Sequence, residues 1–316
     1  MGSLFSSDEN AEEEKEEKEG QKKDSHEPPT AAGPQPQPEP DFKRVLPKAK
    51  LLVDKMIDDA NRFLTRNEEA KFVHDYFRRL ENDPIDDRLL WTRHPELSQG
   101  IYLILIDWLA SLHAVFSKRS EVIYLTVSLI VRYMISADQN AVPMNKFQCL
   151  GVAAMRIACK YEENKYTTPT LHYFVEATDS SCSGAAIVAF ENVLLHTINF
   201  RVSTPPTMYP FVCWYAEGLT APQRKKAFSL FEMSLLSANL MASFRPSEVA
   251  AAATCIAIQK EWPERLRRFS GYARKDLDMA IVAILAFSRF LHPNREMLFV
   301  VQKFSFEYPR VNAKGV

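Results

Sequence analysis

Histidines, cysteines and neighbouring carboxylates are the side chains that could do chemistry here, and their spacing arranges none of them for it. The seven histidines (His26, His74, His94, His113, His172, His196 and His292) include no pair at metal-ligand spacing. His113 and His196 fall in apolar stretches, where an imidazole packs or bonds a neighbour rather than catalyses. The five cysteines are Cys149, Cys159, Cys182, Cys213 and Cys255, with no C-x-x-C pair, which argues against a zinc ribbon or a redox motif. Most lie in apolar runs and read as reduced core cysteines of an intracellular protein. Glu162-Glu163 adjoin Lys160 at a helix end and read as a solvated acidic pair rather than a metal site. H-E-x-x-H, G-x-x-x-x-G-K-[ST], G-x-S-x-G and G-x-G-x-x-G are all absent. The chain therefore reads as no enzyme, with no cofactor and no metal.

The elements that must hold these residues are helical. A chain of 316 residues is enough for two domains or one long helical array. Nine glycines leave little for phosphate-cradling loops or tight hairpins. The net charge of −1 hides an asymmetry: residues 1–40 hold eleven acids and four lysines, a net −7, so the remainder carries +6. A mildly basic body suits an acidic protein partner, whereas nucleic acid asks for a concentrated basic face, and none is expected. Residues 1–47 read as a disordered, acidic and proline-rich tail with almost nothing to bury. Its opening MGSLFS matches the N-myristoylation pattern, with Gly2 as acceptor. Membrane attachment is expected only if Gly2 carries that chain. No signal peptide is expected, and no apolar run reaches the roughly 18 uninterrupted residues of a membrane span.

Residues 48–97 read as N-terminal helices and a linker: a helix from Lys48 to Leu64, a second capped by Asn67, a stop at Asn82-Asp83-Pro84, and a loop carrying Trp91. Ile101 to Phe116 then reads IYLILIDWLASLHAVF, apolar nearly all round, so it must be covered on most sides or leave a groove for a partner. Ser98 can cap it, and Ser120-Glu121 opens the next helix. Gly151, Ala153, Ala154 and Ala158 permit close contacts for a central helix. Thr168-Pro169 opens a shorter one, and Cys182 to Ile198 follows, ended by Asn199-Phe200. A second set is expected near 206–217, 221–243, 246–260, 264–270 and 274–290, with a short helix near 295–305. Its VAAAATCIAI echoes GVAAMRIACK about 100 residues earlier, which suggests two similar five-helix units.

ILIDWLASLHAVF (104–116), EVIYLTVSLIVRYM (121–134), KFQCLGVAAMRIACKYEE (146–163), FENVLLHTINF (190–200) and RPSEVAAAA (245–253) together resemble a cyclin, and among cyclins the A/B-type, mitotic ones. The resemblance implies an all-α protein of two tandem five-helix cyclin folds. The N-terminal box would span 98–202, the C-terminal fold 203–305, and a tail 306–316. It implies a regulatory subunit, nuclear and cytoplasmic, that binds and activates a cyclin-dependent kinase. Lys160 and Glu191 match the family's kinase-contacting pair, with Tyr161, Glu162, Leu195, Phe200 and Val202 at surrounding contact positions. Chemistry alone would leave each charge on a solvated face; opposite charges of this kind can also bind the unpaired carbonyls and amides at a partner helix end. Ile101, Ile104, Leu105, Asp107 and Trp108, with Phe147 and Gln148, match a hydrophobic patch that docks arginine-x-leucine peptides of substrates or inhibitors. Periodicity alone favours core packing for the same positions.

The chain departs from the family pattern in places. Tyr102 and Val131 stand where an arginine and an aspartate usually form a buried ion pair; losing both charges strands neither. Cys149 replaces a leucine, and Ser111 replaces an acid near the docking patch, which should weaken selection for a basic peptide residue. Arg44-Val45-Leu46-Pro47 is not an R-x-x-L destruction box, and no K-E-N is present. Two rival readings stay open: a cyclin-fold scaffold that activates no kinase, and a transcription-associated protein with cyclin-like repeats.

Overall fold

Small side chains decide which helix takes the centre of each repeat. In the computed structural model, which describes residues 42–62, 68–136, 142–258, 264–294 and 296–304, all regular structure is helical. Gly2 and the acidic tail, Asn67, Asn140 and the segment after Phe304 lie outside the described residues. The first repeat comprises α4 (Gln99–Phe116), α5 (Ser120–Ser136), α6 (Met144–Glu162), α7 (Leu171–Ala177) and α8 (Gly184–Thr197), preceded by α1 (Phe42–Arg62), α2 (Glu68–Leu80) and α3 (Arg88–Arg93). Helix α6 packs against α4, α5, α7 and α8. A Cβ on Gly151 would lie 3.0 Å from Leu105 and 3.1 Å from Leu109, so the missing side chain is what lets α4 approach.

The second repeat comprises α9 (Met208–Ala216), α10 (Ala221–Leu235), α11 (Ala238–Ser243), α12 (Pro246–Ile258), α13 (Glu264–Ser270) and α14 (Asp278–Leu291). Its centre is α12, whose Val249 to Ala253 are fully buried and which packs on α9, α10 and α14. The expected helix over 221–243 is broken at Leu236–Ser237. Ser237 is extended there and its hydroxyl accepts the Leu240 N–H at 3.2 Å, capping α11. The predicted helix at 274–290 begins as a 3-10 turn, Arg274–Leu277.

Several boundaries differ from the sequence reading for tertiary reasons. Helix α1 starts at Phe42, inside the segment read as tail, and carries Pro47. Proline costs it one ladder bond, but Ala49, Val53 and Met56 are buried at helical spacing against α4, α9, α10 and α15 (Phe299–Phe304). Trp91 lies in α3, not a loop, and its indole N–H donates to Asn239 at 3.2 Å. Helix α7 begins at Leu171 rather than at Pro169, because the Thr168 hydroxyl donates back to Asn164 and closes the preceding turn. Helix α4, capped by Ser98 as expected, is long and apolar enough to cross a membrane by length and composition, although Asp107 and other polar residues interrupt its apolar run. Eleven of its residues are buried in the protein, which makes it a core helix.

Among the contacts that join the repeats, two lie toward the chain's ends. Helix α15 returns from the second repeat to pack on α1, α4 and α10. His74 anchors α2 to the second repeat: it is buried, bonded to the Tyr215 hydroxyl at 3.0 Å, and lies edge-on to Phe211 and Trp214.

Candidate functional site

The close packing of α6 on α8 brings Lys160 and Glu191 together. Lys160 is in the last turn of α6 and Glu191 is in the middle of α8. Lys160 Nζ lies 2.7 Å from Glu191 Oε1, and Arg156, one turn earlier on α6, donates to Oε2. Glu191 is 4% exposed, whereas the Lys160 side chain is 45% exposed. The ammonium meets Oε1 outside hydrogen-bond geometry, so that oxygen is buried with no hydrogen-bonded partner among the described residues. A buried carboxylate oxygen with a spare lone pair, beside a half-exposed ammonium, can take one incoming N–H and offer donors to an adjacent carbonyl.

The surrounding residues form an apolar rim. Tyr161 and Phe200 are exposed, and Leu195 and Val202 are half-buried. Phe200 is displayed by its backbone: Asn199 and Phe200 both have left-handed φ values, 53° and 56°, and the Phe200 N–H donates to Leu195 O at 2.8 Å. A left-handed aromatic is costly, and such strain persists where the surroundings over-determine it. Arg132 of α5 supplies part of that constraint, donating to the carbonyls of Arg201 at 2.5 Å and Val202 at 3.0 Å. Burial holds its guanidinium down to about 10. His196 is exposed, its ring edge-on to Phe200 at 4.9 Å. Glu162 is half-buried, and burial beside Glu121 and Glu163 holds its carboxyl above the usual range. Glu163 is not free in solvent either: it accepts the Arg119 N–H at 2.8 Å and the Thr167 hydroxyl at 2.6 Å.

Sequence reasoning missed Arg156 and Arg132. Arg156 was within reach, because i and i+4 share a helix face and Lys160 follows at that spacing. Arg132 carries no local signal, because its carbonyl partners lie about 70 residues away.

The proposed docking residues separate by depth. Ile104 is 58% exposed, and Ile101, Trp108 and Gln148 are half-buried. Leu105 and Phe147 are buried at 3% and 2%, beneath the surface rather than on it. Asp107 corrects the expectation outright. Asp107 lies about 100° round the helix from Trp108 and about 60° from Ile104, at the edge of their face, where α15 covers it. It is buried and accepts the N–H groups of Phe299 at 2.8 Å and Val300 at 2.9 Å, holding the start of α15. Burial pushes its carboxyl up to about 6, against the pull of the two N–H groups. Ser111 is also buried, and donates to Trp108 O at 2.7 Å. Neither position gives the patch a carboxylate. Among the described residues no cluster of His, Cys, Asp and Glu could hold a metal.

Tyr102 and Val131 are both buried. The Tyr102 hydroxyl donates to Leu235 O at 3.2 Å, while Val131 lines a cleft with Tyr124, Leu235 and Met241. No charge is stranded at either position.

Three buried histidines, His74, His94 and His113, each with its imidazole held below the usual range by burial, make the fold acid-sensitive. Burial holds both His74 and His113 down to about 4; His113 bonds Arg119 O at 2.9 Å through Nε2. A group with a depressed folded pKa stabilises above its unfolded pKa of about 6.5 and loses that contribution as pH falls toward 4. At pH 5 His74 and His113 should each cost about 2 kcal/mol relative to neutral pH. Asp107, with a raised pKa, acts oppositely between about 4 and 6. Comparison with a variant therefore isolates the term: His113→Gln should lose about 2 kcal/mol less than wild type between pH 7.5 and 5 in urea unfolding. An equal loss would contradict the assignment.

Comparison with known proteins follows this geometry. The chain matches the cyclin N-terminal domain over residues 73–203 and the cyclin C-terminal domain over 206–310. It is 31% identical to the G2/mitotic-specific cyclin-A of Drosophila melanogaster over 231 residues, 71% of this chain and 46% of that protein. It is 31% identical to Cyclin-B1-4 of Arabidopsis thaliana over 239 residues, 72% of this chain and 60% of that one. The chain thus spans about half the length of these curated relatives. Among solved structures it superposes on a viral cyclin from herpesvirus saimiri with a TM-score of 0.52 at 17% identity, covering 62% of this chain and 87% of that one. It also superposes on a chain of the yeast RNA polymerase II CTD kinase CTDK-1 complex with a TM-score of 0.54 at 12% identity, covering 73% and 87%. With both halves of the fold matched and mitotic relatives at this identity, the chain belongs to the cyclin family.

Proposed function

We propose that this chain is the regulatory subunit of a cyclin-dependent Ser/Thr protein kinase in cell-cycle control, acting in nucleus and cytoplasm. Cyclins are regulatory subunits rather than enzymes, and the curated relatives are mitotic cyclins. The observation that carries the reading is the buried Glu191 carboxylate, whose Oε1 is ion-paired with the half-exposed Lys160 ammonium 2.7 Å away yet accepts no hydrogen bond among the described residues. A kinase helix end together with its flanking loop presents free carbonyls and amides, so Lys160 takes carbonyls and Glu191 an amide. Tyr161, Leu195, Phe200 and Val202 supply most of the affinity by burying apolar surface, with Glu162 at the margin. Bound beside the kinase's mobile helix, the cyclin moves that helix's glutamate into its ion pair with the catalytic lysine and helps the activation loop open. All bond-making then occurs on the kinase. The test is recovery of histone kinase activity from dividing cells on the wild-type protein and on Lys160→Ala/Glu191→Ala. Activity lost with the double variant supports the reading; equal activity on both overturns it.

The α4 face formed by Ile101, Ile104, Trp108 and Gln148, over Leu105 and Phe147, serves as the substrate-docking patch in this reading. With Asp107 and Ser111 turned inward, the patch selects apolar peptide residues and discriminates weakly for arginine. Exchanging arginine for alanine in an arginine-x-leucine peptide should change its affinity less than about threefold, well under the several kcal/mol of a buried charge pair. A tenfold loss would contradict the proposal.

A further inference from the structure

Two of the five cysteines are neighbours in space. Cys149 is on α6 and Cys182 ends the exposed turn before α8, and both are buried, at 2% and 6%. The residues just before them are tied together, because the Ser181 hydroxyl donates to Gln148 Oε1 at 3.1 Å. The Cys182 side chain adjoins that of Cys149. The turn is fixed from the other side too: the Cys182 N–H donates to Thr178 Oγ1 at 3.3 Å, and Asp179 and Ser180 take left-handed φ values of 49° and 61°.

From this arrangement we propose that Cys149 and Cys182 are a modification site, joined as a disulfide by hydroperoxides. The two thiols do not act alike. Cys182 is the more exposed, receives the Ser181 hydroxyl at 3.9 Å, and has the Cys149 thiol and the Lys146 ammonium nearby. These donors hold its thiol below the usual range and push that of Cys149 above it. Cys182 therefore reacts first. Its thiolate sulfur attacks the peroxide, the O–O bond breaks, and Cys182 sulfenic acid forms with release of one alcohol or water. The Cys149 thiol then attacks that sulfur, its proton leaving with the hydroxyl as water, and the S–S bond forms. Two thiols are oxidised by two electrons and one hydroperoxide is reduced. By contrast burial pushes the Cys159 thiol up to about 12.

The test is hydrogen peroxide treatment of the reduced, folded full chain, followed by alkylation and peptide mass mapping. The expected result is one peptide pair linked through Cys149 and Cys182, two hydrogens lighter than the free peptides and restored by dithiothreitol. Cys182→Ser should leave Cys149 alkylatable, and Cys149→Ser should leave a sulfenic acid at Cys182 that dimedone traps. Circular dichroism of both variants checks that they remain folded. Recovery of both cysteines as free thiols, after peroxide sufficient to oxidise exposed methionines, would overturn the proposal. So would linkage of either to another cysteine.

Discussion

A Lys303→Met variant is expected to be about 3–5 kcal/mol less stable than the wild-type protein. Lys303 of α15 and Glu232 of α10 are both nearly inaccessible, at 4% and 2%, and the ammonium donates to both carboxylate oxygens, at 2.8 and 2.7 Å. Removing the lysine alone leaves a buried carboxylate with no counter-charge, and desolvation of that ion is the source of the loss. The pair itself is worth much less than its disruption. Replacing both by apolar groups, in Lys303→Met/Glu232→Leu, should return stability to within about 1–2 kcal/mol of wild type, because neither charge is then stranded. Urea unfolding of the two single variants and the double variant measures this as a coupling energy. Because α15 packs on α1, α4 and α10, the loss should appear in a single transition of the whole two-repeat body. A single variant as stable as wild type would contradict it.

Glu191→Ala should weaken binding to the partner kinase by about 30-fold or more. Truncating one member of a buried, hydrogen-bonded charge pair typically costs 2–5 kcal/mol, and each 1.4 kcal/mol is about tenfold. Alanine at 191 removes the acceptor proposed for the kinase amide and leaves Arg156 and Lys160 as an unbalanced positive pair. Lys160→Ala should cost less, about tenfold to 30-fold, because its half-exposed ammonium is already partly solvated. Calorimetric titration with a purified cyclin-dependent kinase reads both, with circular dichroism of each variant reporting its folding. If Glu191→Ala binds as wild type does, the proposed contact is wrong.

What the sequence displayed best was what local chemistry governs. Alanine and glycine in α6 and α12 marked the central helices, because only small side chains admit four neighbours. Ser98 and the all-round apolarity of Ile101–Phe116 marked α4 as a helix that must be covered. Lys160 and Glu191 were legible through family resemblance, not through chemistry, since a single charge on a helix does not say what it faces. Asp107 shows the opposite limit. The family resemblance placed it in the docking patch, yet its partners are backbone groups at the far end of the chain, Phe299 and Val300, which no local pattern announces. The start of α1 was misplaced for the same reason. Pro47 reads as a stop, and only burial against α4, α9, α10 and α15 outweighs the bond it loses. Arg132 was invisible because a side chain that clamps carbonyls 70 residues away leaves no periodic trace.

The central claim is that the Lys160–Glu191 face turns a kinase on. The most direct measurement is histone phosphorylation by a purified cyclin-dependent kinase titrated with the wild-type protein and with Lys160→Ala/Glu191→Ala. The account predicts activity that rises and saturates with the wild-type protein and stays at the kinase's basal level with the folded double variant. Equal activation by both, or binding by the wild type without any rise in activity, would contradict it.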